Sequence, residues 1–194
     1  MKDFRKIFLI IIVLLILFLV VYFAVVKYIT STDTDYIKKK PLFIESIKNG
    51  TYEIDGVKVT LKDGISEMEI APGSSSKMVT KYFGNEAVGD LDGDGAPDVA
   101  FLLTQNNGGS GTFYYVVAAL WDGDGYLGTS AVMLGDRIAP QTTEIRNSPN
   151  PRDSGTLIVN YAIRKTGEPM TAKPSVTVSR YFLTKDERLM EFRK

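Results

Sequence analysis

The 194-residue chain contains no cysteine and no histidine. Without cysteine it has no disulfide, no thiolate metal site, no lipid-attachment cysteine and no thiol nucleophile. Without histidine it lacks the commonest general base and the usual ligand for zinc, copper and haem. Any metal must therefore be held by oxygen, which points to Ca2+, Mg2+ or Mn2+. An excess of one charge is missing too, since 23 basic side chains face 23 acidic ones. Nucleic-acid binders usually carry a basic excess or stripe, so nucleic acid is not an expected partner.

Long apolar runs are absent except at the N-terminus, where Ile7–Val26 reads IFLIIIVLLILFLVVYFAVV without a charge. At about 1.5 Å rise per residue, some 20 residues reach across the ~30 Å hydrocarbon core of a bilayer. A cleaved signal peptide is the rival reading. Its apolar region is normally shorter and ends in small residues, whereas here only Ala24 is small near the end of the run. The run is read as an uncleaved, single-pass membrane anchor. Lys2, Arg5 and Lys6 precede it, and Lys27 and Lys38 to Lys40 follow it. Proximity to the apolar run favours the N-terminal tail as the cytoplasmic side. The expected organisation is a cytoplasmic tail at 1–6, a transmembrane anchor at 7–26, a tether at 27–48 and an extracytoplasmic β domain at 49–194. Within the tether, PLFIESI is either spacer or a short helix or strand that docks on the domain.

After Lys48 the texture is β throughout. TYEIDGVKVTL is two short runs joined by Asp55-Gly56, a two-residue hairpin signal. ISEMEI alternates and reads as a half-buried strand with Glu67 and Glu69 on one face. MVTKYFG is left open between strand and helical turn. VAFLL and FYYVVAALW are continuously apolar, so both their faces should be covered, and they should pair through the glycine-rich loop QNNGGSG. WDGDGY is a tight turn before one strand, YLGTSAVML. TLIVNYAI, VTVSRYFL and, after a turn at Lys185-Asp186, LMEF complete the pattern. The fold class expected is mainly β: an N-terminal transmembrane helix, then one antiparallel β-meander domain forming a sandwich or partly open barrel.

The chemistry concentrates in GDLDGDGAPD, where Asp90, Asp92, Asp94 and Asp98 fall within nine residues. Counting from Asp90, carboxylates stand at positions one, three, five and nine, and Ala96 at position seven offers a backbone carbonyl. Gly93 and Gly95 permit the bends that turn alternate residues inward. Ca2+ takes ~6–8 oxygens at roughly 2.3–2.6 Å, and such loops supply most of them locally. The candidate Ca2+ ligands are thus Asp90, Asp92, Asp94, Asp98 and the Ala96 carbonyl. An ordinary solvated turn is the competing reading, but it holds one or two aspartates more often than four. The opening of the loop is EF-hand-like, yet Leu102 or Leu103 stands near the place of the bidentate Glu and no helix flanks it.

AVGDLDGDGAPDVAFLL, with Phe83-Gly84 upstream, resembles the short Ca2+ loop of the FG-GAP and VCBS repeats of propellers and bacterial surface proteins. The resemblance covers about twenty residues and occurs once, so it implies a Ca2+ loop followed by an apolar strand and no propeller. With YFGNE before it and GGSGTFYYVVAAL after it, the run is also similar to a class of membrane-anchored bacterial extracytoplasmic domains. That similarity implies a location and no activity.

Other motifs carry less. Asp122 and Asp124 in WDGDGY suit a hairpin turn, and GGSG at Gly108 to Gly111 is followed by a strand instead of the helix N-terminus a phosphate cradle needs. No catalytic constellation is recognisable. The expected function is a membrane-anchored binding or structural module, with one Ca2+ and an envelope or protein partner. The alternative is a cell-envelope enzyme acting through carboxylates. On the anchor reading, the protein should stay in the membrane pellet through carbonate extraction and have the intact mass of the full chain. A mature form starting near Lys27 would instead identify a secreted protein.

Overall fold

The computed structural model describes residues 14–27, 43–147 and 155–193. The expected tail at 1–6, the first part of the anchor at 7–13 and most of the tether, 28–42, lie outside the described residues. Residues 14–27 form helix α1. At 1.5 Å per residue this helix is about 21 Å long. Among the described residues no helix is long and apolar enough to cross a membrane.

The second unit, Ile44–Lys194, contains every described strand. It opens with a short helix α2 over 43–48, whose Ile47 is fully buried. PLFIESI is therefore partly helical, and the domain starts about five residues earlier than the sequence boundary at 49. The hairpin follows as β1 (Thr51–Ile54) and β2 (Val57–Thr60). Asp55 and Gly56 both take positive φ, 50° and 79°, as a two-residue hairpin turn requires.

A six-stranded antiparallel sheet comes next: β3 (Ile65–Glu69), β4 (Lys77–Gly89), β5 (Asp98–Asn106), β6 (Phe113–Trp121), β7 (Tyr126–Gly128) and β8 (Val132–Asp136). The first five lie in chain order, and β8 returns to pair with β6. A four-stranded sheet, β9 (Ala139–Arg146), β10 (Thr156–Ile163), β11 (Val176–Lys185) and β12 (Arg188–Phe192), also runs in chain order. The antiparallel sheets form a curled half-barrel.

The core explains why β5 and β6 lie inside the sheet. Ala100, Leu102, Val116, Ala118 and Leu120 share one buried cluster with Leu157, Val159, Tyr161 and Phe182 of the four-stranded sheet. Residues of the opposite alternation, Val99, Phe101, Leu103, Val117 and Ala119, are buried as well. On that face the Phe101 ring meets Tyr52 of the hairpin edge-on at 5.3 Å and Tyr82 of β4 at 5.4 Å. The Tyr115 hydroxyl donates to Asp55 at 3.0 Å. A strand covered on both faces needs apolar side chains at every position, which is what the two unbroken runs supply.

Several local expectations change. MVTKYFG is strand: it belongs to β4, bent by register shifts around Gly84 (φ 100°) and Asn85 (φ 60°). YLGTSAVML is two strands. Buried Thr129 accepts the Ala118 N–H on its hydroxyl at 2.9 Å, so a side chain takes over a ladder position and the chain steps out between β7 and β8. At that step Ser130 bridges Glu53 and Arg188. β9 is not signalled by the local sequence, because Pro140 interrupts the run; the proline is tolerated on an edge strand beside a register shift at Asn160/Tyr161. The last turn centres on Asp186-Glu187, one residue later than expected. In β3, Glu67 and Glu69 face solvent as the alternation implies, but Ile65 is 46% exposed because this edge strand has no cover on that side.

Phe101 is the largest apolar side chain held between layers on the hairpin side. Phe101→Ala should lower unfolding free energy by about 3–5 kcal/mol in urea denaturation. A loss below about 1 kcal/mol would show that the hairpin does not bury this face in solution.

Candidate metal centre

The β4–β5 connection, residues 90–97, turns on two glycines, Gly93 (φ 88°) and Gly95 (φ 86°). Left-handed backbone is accessible to glycine without steric penalty, and it folds the loop tightly enough for its own carboxylates to accept its amides. Asp90 takes Gly93 N–H on Oδ1 at 2.7 Å and Gly95 N–H on Oδ2 at 3.0 Å. Asp92 Oδ1 takes Asp94 N–H at 3.1 Å, and Asp94 Oδ1 takes Ala96 N–H at 2.6 Å.

Asp98 differs from the other three. It is the first residue of β5 and is fully buried. Its Oδ2 accepts Leu91 N–H at 2.7 Å and its Oδ1 accepts Trp121 N–H at 2.9 Å. One carboxylate thus ties the start of the loop to the end of β6. Leu91, also fully buried, fixes the same corner from the apolar side.

The structure brings Asp90, Asp92 and Asp98 together, with one carboxylate oxygen from each all within 4.8 Å of one another. Asp94 is not in that group. At such spacing each like-charged pair repels by about 1 kcal/mol in water-like dielectric, and by more where buried. Burial pushes the Asp98 carboxyl up to about 6, against the opposing effect of its two amide donors, and the charges of Asp92 and Asp94 push the same way. Asp92 is also raised, by burial first and then by Asp94 and Asp90. A carboxyl raised on folding holds its proton more tightly in the folded state than in the unfolded one. The folded form is therefore favoured below the raised value, and stability falls as pH climbs from the ordinary carboxylate range through about 6. At neutral pH, charged Asp98 opposes folding, and a bound cation would offset that opposition.

Distant residues hold the loop in ways that sequence reasoning missed. The Asn147 side-chain carbonyl accepts Asp90 N–H at 3.3 Å, and Gly155 N–H donates to the Asp90 carbonyl at 3.0 Å. A side chain at Gly155 would run into that carbonyl, and one at Gly89 into Ile145. Tyr126 donates its hydroxyl to the Pro97 carbonyl at 3.1 Å, its ring edge-on to Trp121. Nothing in the local sequence around 147 or 155 signals these roles.

The second acidic turn is a hairpin loop. Asp122 Oδ1 takes the N–H groups of Asp124 and Gly125, which holds its carboxyl below the usual range. The glycine-rich segment Gly108 to Gly111 is likewise a loop entering a strand, closed by Asn106, whose amide donates to Gly111 carbonyl at 2.9 Å. Among the described residues no other group of three acidic side chains is close enough to share an ion.

Comparison with models of protein families, with curated proteins and with solved structures found no match.

Two substitutions separate the structural work of these carboxylates from ion binding. Asp98→Asn removes the titrating carboxyl, so in urea denaturation with chelator present it should lose the fall in stability that wild type shows as pH climbs through about 6. Asp92→Asn keeps its acceptor oxygen and removes an unfavourable charge, so in chelator it should lie within about 0.5 kcal/mol of wild type. A pH dependence in Asp98→Asn as steep as that of wild type would contradict the burial assigned to Asp98.

Proposed function

We propose that the chain is a membrane-anchored, extracytoplasmic binding or structural module whose β domain is stabilised by one Ca2+ in the β4–β5 loop. The observation that carries this reading is the convergence of Asp90, Asp92 and Asp98 at the start of the central strand, one of them fully buried. In the proposal these three supply the primary oxygens, and Asp94 and the Ala96 carbonyl close on the ion. The FG-GAP-like spacing of the motif supports the same assignment. The ion neutralises the crowded carboxylates and stiffens the corner where β4, β5 and β6 meet. The uncharged run Ile7–Val26 supports the anchor, and α1 is its described part. An extracytoplasmic domain suits a weak Ca2+ site, since sites of ~10⁻⁴ M are filled at extracellular Ca2+ levels.

Binding to the folded state adds RT ln(1 + [L]/Kd), or ~2.7 kcal/mol at a hundredfold excess over Kd. The full chain in mild detergent should therefore melt higher in millimolar Ca2+ than in chelator, and Asp92→Asn should abolish most of that difference. Mg2+ should substitute poorly, because it keeps its waters and demands tighter octahedral geometry. Superimposable melting curves in Ca2+ and in chelator would reduce the four aspartates to a solvated turn.

A further inference from the structure

A cleft of about 650 Å3 lies between the β1–β2 hairpin, β7 and the β11–β12 turn. Its base is closed by tightly packed backbone. A side chain at Gly128 would strike the Thr51 carbonyl, and Tyr52 beneath is buried with its hydroxyl donated to the Ile47 carbonyl at 2.7 Å. The walls, by contrast, are charged: Glu53 and Lys58 from the hairpin, and Asp186, Glu187 and Arg188 from the turn. Among the described residues none of these five forms an ion pair.

Lys58, Asp186, Glu187 and Arg188 are exposed, and Glu53 and Lys58 stay apart although they are register partners across the hairpin. The Glu53 carboxylate accepts from the Ser130 hydroxyl at 3.3 Å, and Lys58 stays exposed. The opposite wall carries a second oddity. Asp186 and Glu187 both adopt left-handed backbone, φ 48° and 56°. In the β1–β2 turn the corresponding second position is Gly56, the residue this conformation favours. The β11–β12 turn instead sustains strain at Glu187 and thereby sets a carboxylate on the cleft rim.

We propose that this cleft binds a short peptide carrying charges of both signs. Lys58 and Arg188 take its carboxylates, and Glu53, Asp186 and Glu187 take its ammonium groups. The volume lies within the range of small-ligand clefts, about 300–1,000 Å3. Charges of both signs on facing walls are complementary to a dipolar ligand, whereas a neutral saccharide would meet them with hydrogen bonds alone. The proposal does not depend on an ion in the β4–β5 loop.

The test uses the full chain, isotope-labelled in detergent micelles, and follows amide shifts during titration. The probe is a mixture of tetrapeptides, each with one lysine, one glutamate and free termini. Two controls are a blocked mixture with glutamine at both charged positions and a neutral oligosaccharide. The charged mixture should shift the Gly128, Ser130 and Arg188 amides at millimolar concentration, and the controls should not. Glu187→Gly removes a carboxylate while relieving the turn, so it should melt at or above wild type and still bind the peptides severalfold more weakly. Lys58→Gln should weaken binding similarly. No shifts with the charged mixture, equal shifts with either control, or unchanged affinity in both variants would overturn the proposal.

Discussion

Covering both faces of β5 and β6 is the constraint from which the rest of the domain follows. The unbroken apolar runs Val99–Leu103 and Phe113–Trp121 within them need cover on both sides, since burying each large side chain is worth about 1.5–3 kcal/mol. One face is met by Leu157, Val159, Tyr161 and Phe182 of the four-stranded sheet. The other is met by Tyr52 of the hairpin, with Tyr82 of β4 beside it. The strands around this pair carry exposed apolar residues, as Ile65 of β3, Phe83 of β4, Met133 of β8 and Met190 of β12 show. Stability is thus concentrated where three layers overlap and thins toward the edges.

The acidic loop belongs to that arrangement. Asp98 combines two roles that conflict at neutral pH. As a hydrogen-bond acceptor for Leu91 and Trp121 it is best charged, yet in its fully buried position the charge is disfavoured. Asp90 and Asp92 add like charge within 4.8 Å. Pairing with a cation resolves the conflict without sacrificing either amide bond, because a carboxylate oxygen has lone pairs for both. The proposed ion is therefore a means of keeping a charged acceptor at the start of the most buried strand.

The charged cleft shows the opposite economy. In the acidic loop, carboxylates are taken up by neighbouring amides, whereas around the cleft five charged groups stay out of ion pairs. One of them, Glu187, sits on backbone that a glycine would occupy more comfortably. Both features lie at strand ends and turns, where the sheets fix position but leave side chains free to meet something else.

Much of this was legible along the chain. The pairing of VAFLL with FYYVVAALW, the Asp55-Gly56 hairpin and the outward Glu67 and Glu69 follow from periodicity and turn chemistry, which act within a few residues. The aspartate spacing likewise named the loop. Where it failed, the deciding partner was distant. Thr129 splits a strand because of Ala118 on the neighbouring one, Pro140 is accommodated because β9 has an open edge, and Ile47 draws the domain boundary forward because Tyr52 waits for its carbonyl. Local sequence determined that the domain is mainly β and where its carboxylates crowd, since backbone propensity and charge are properties of neighbours. Only the tertiary structure decided that Asp98 is buried, that Asp94 falls outside the group of three, and that Asn147 and Gly155 hold the loop. Burial and close approach are set by chain segments that meet only after folding.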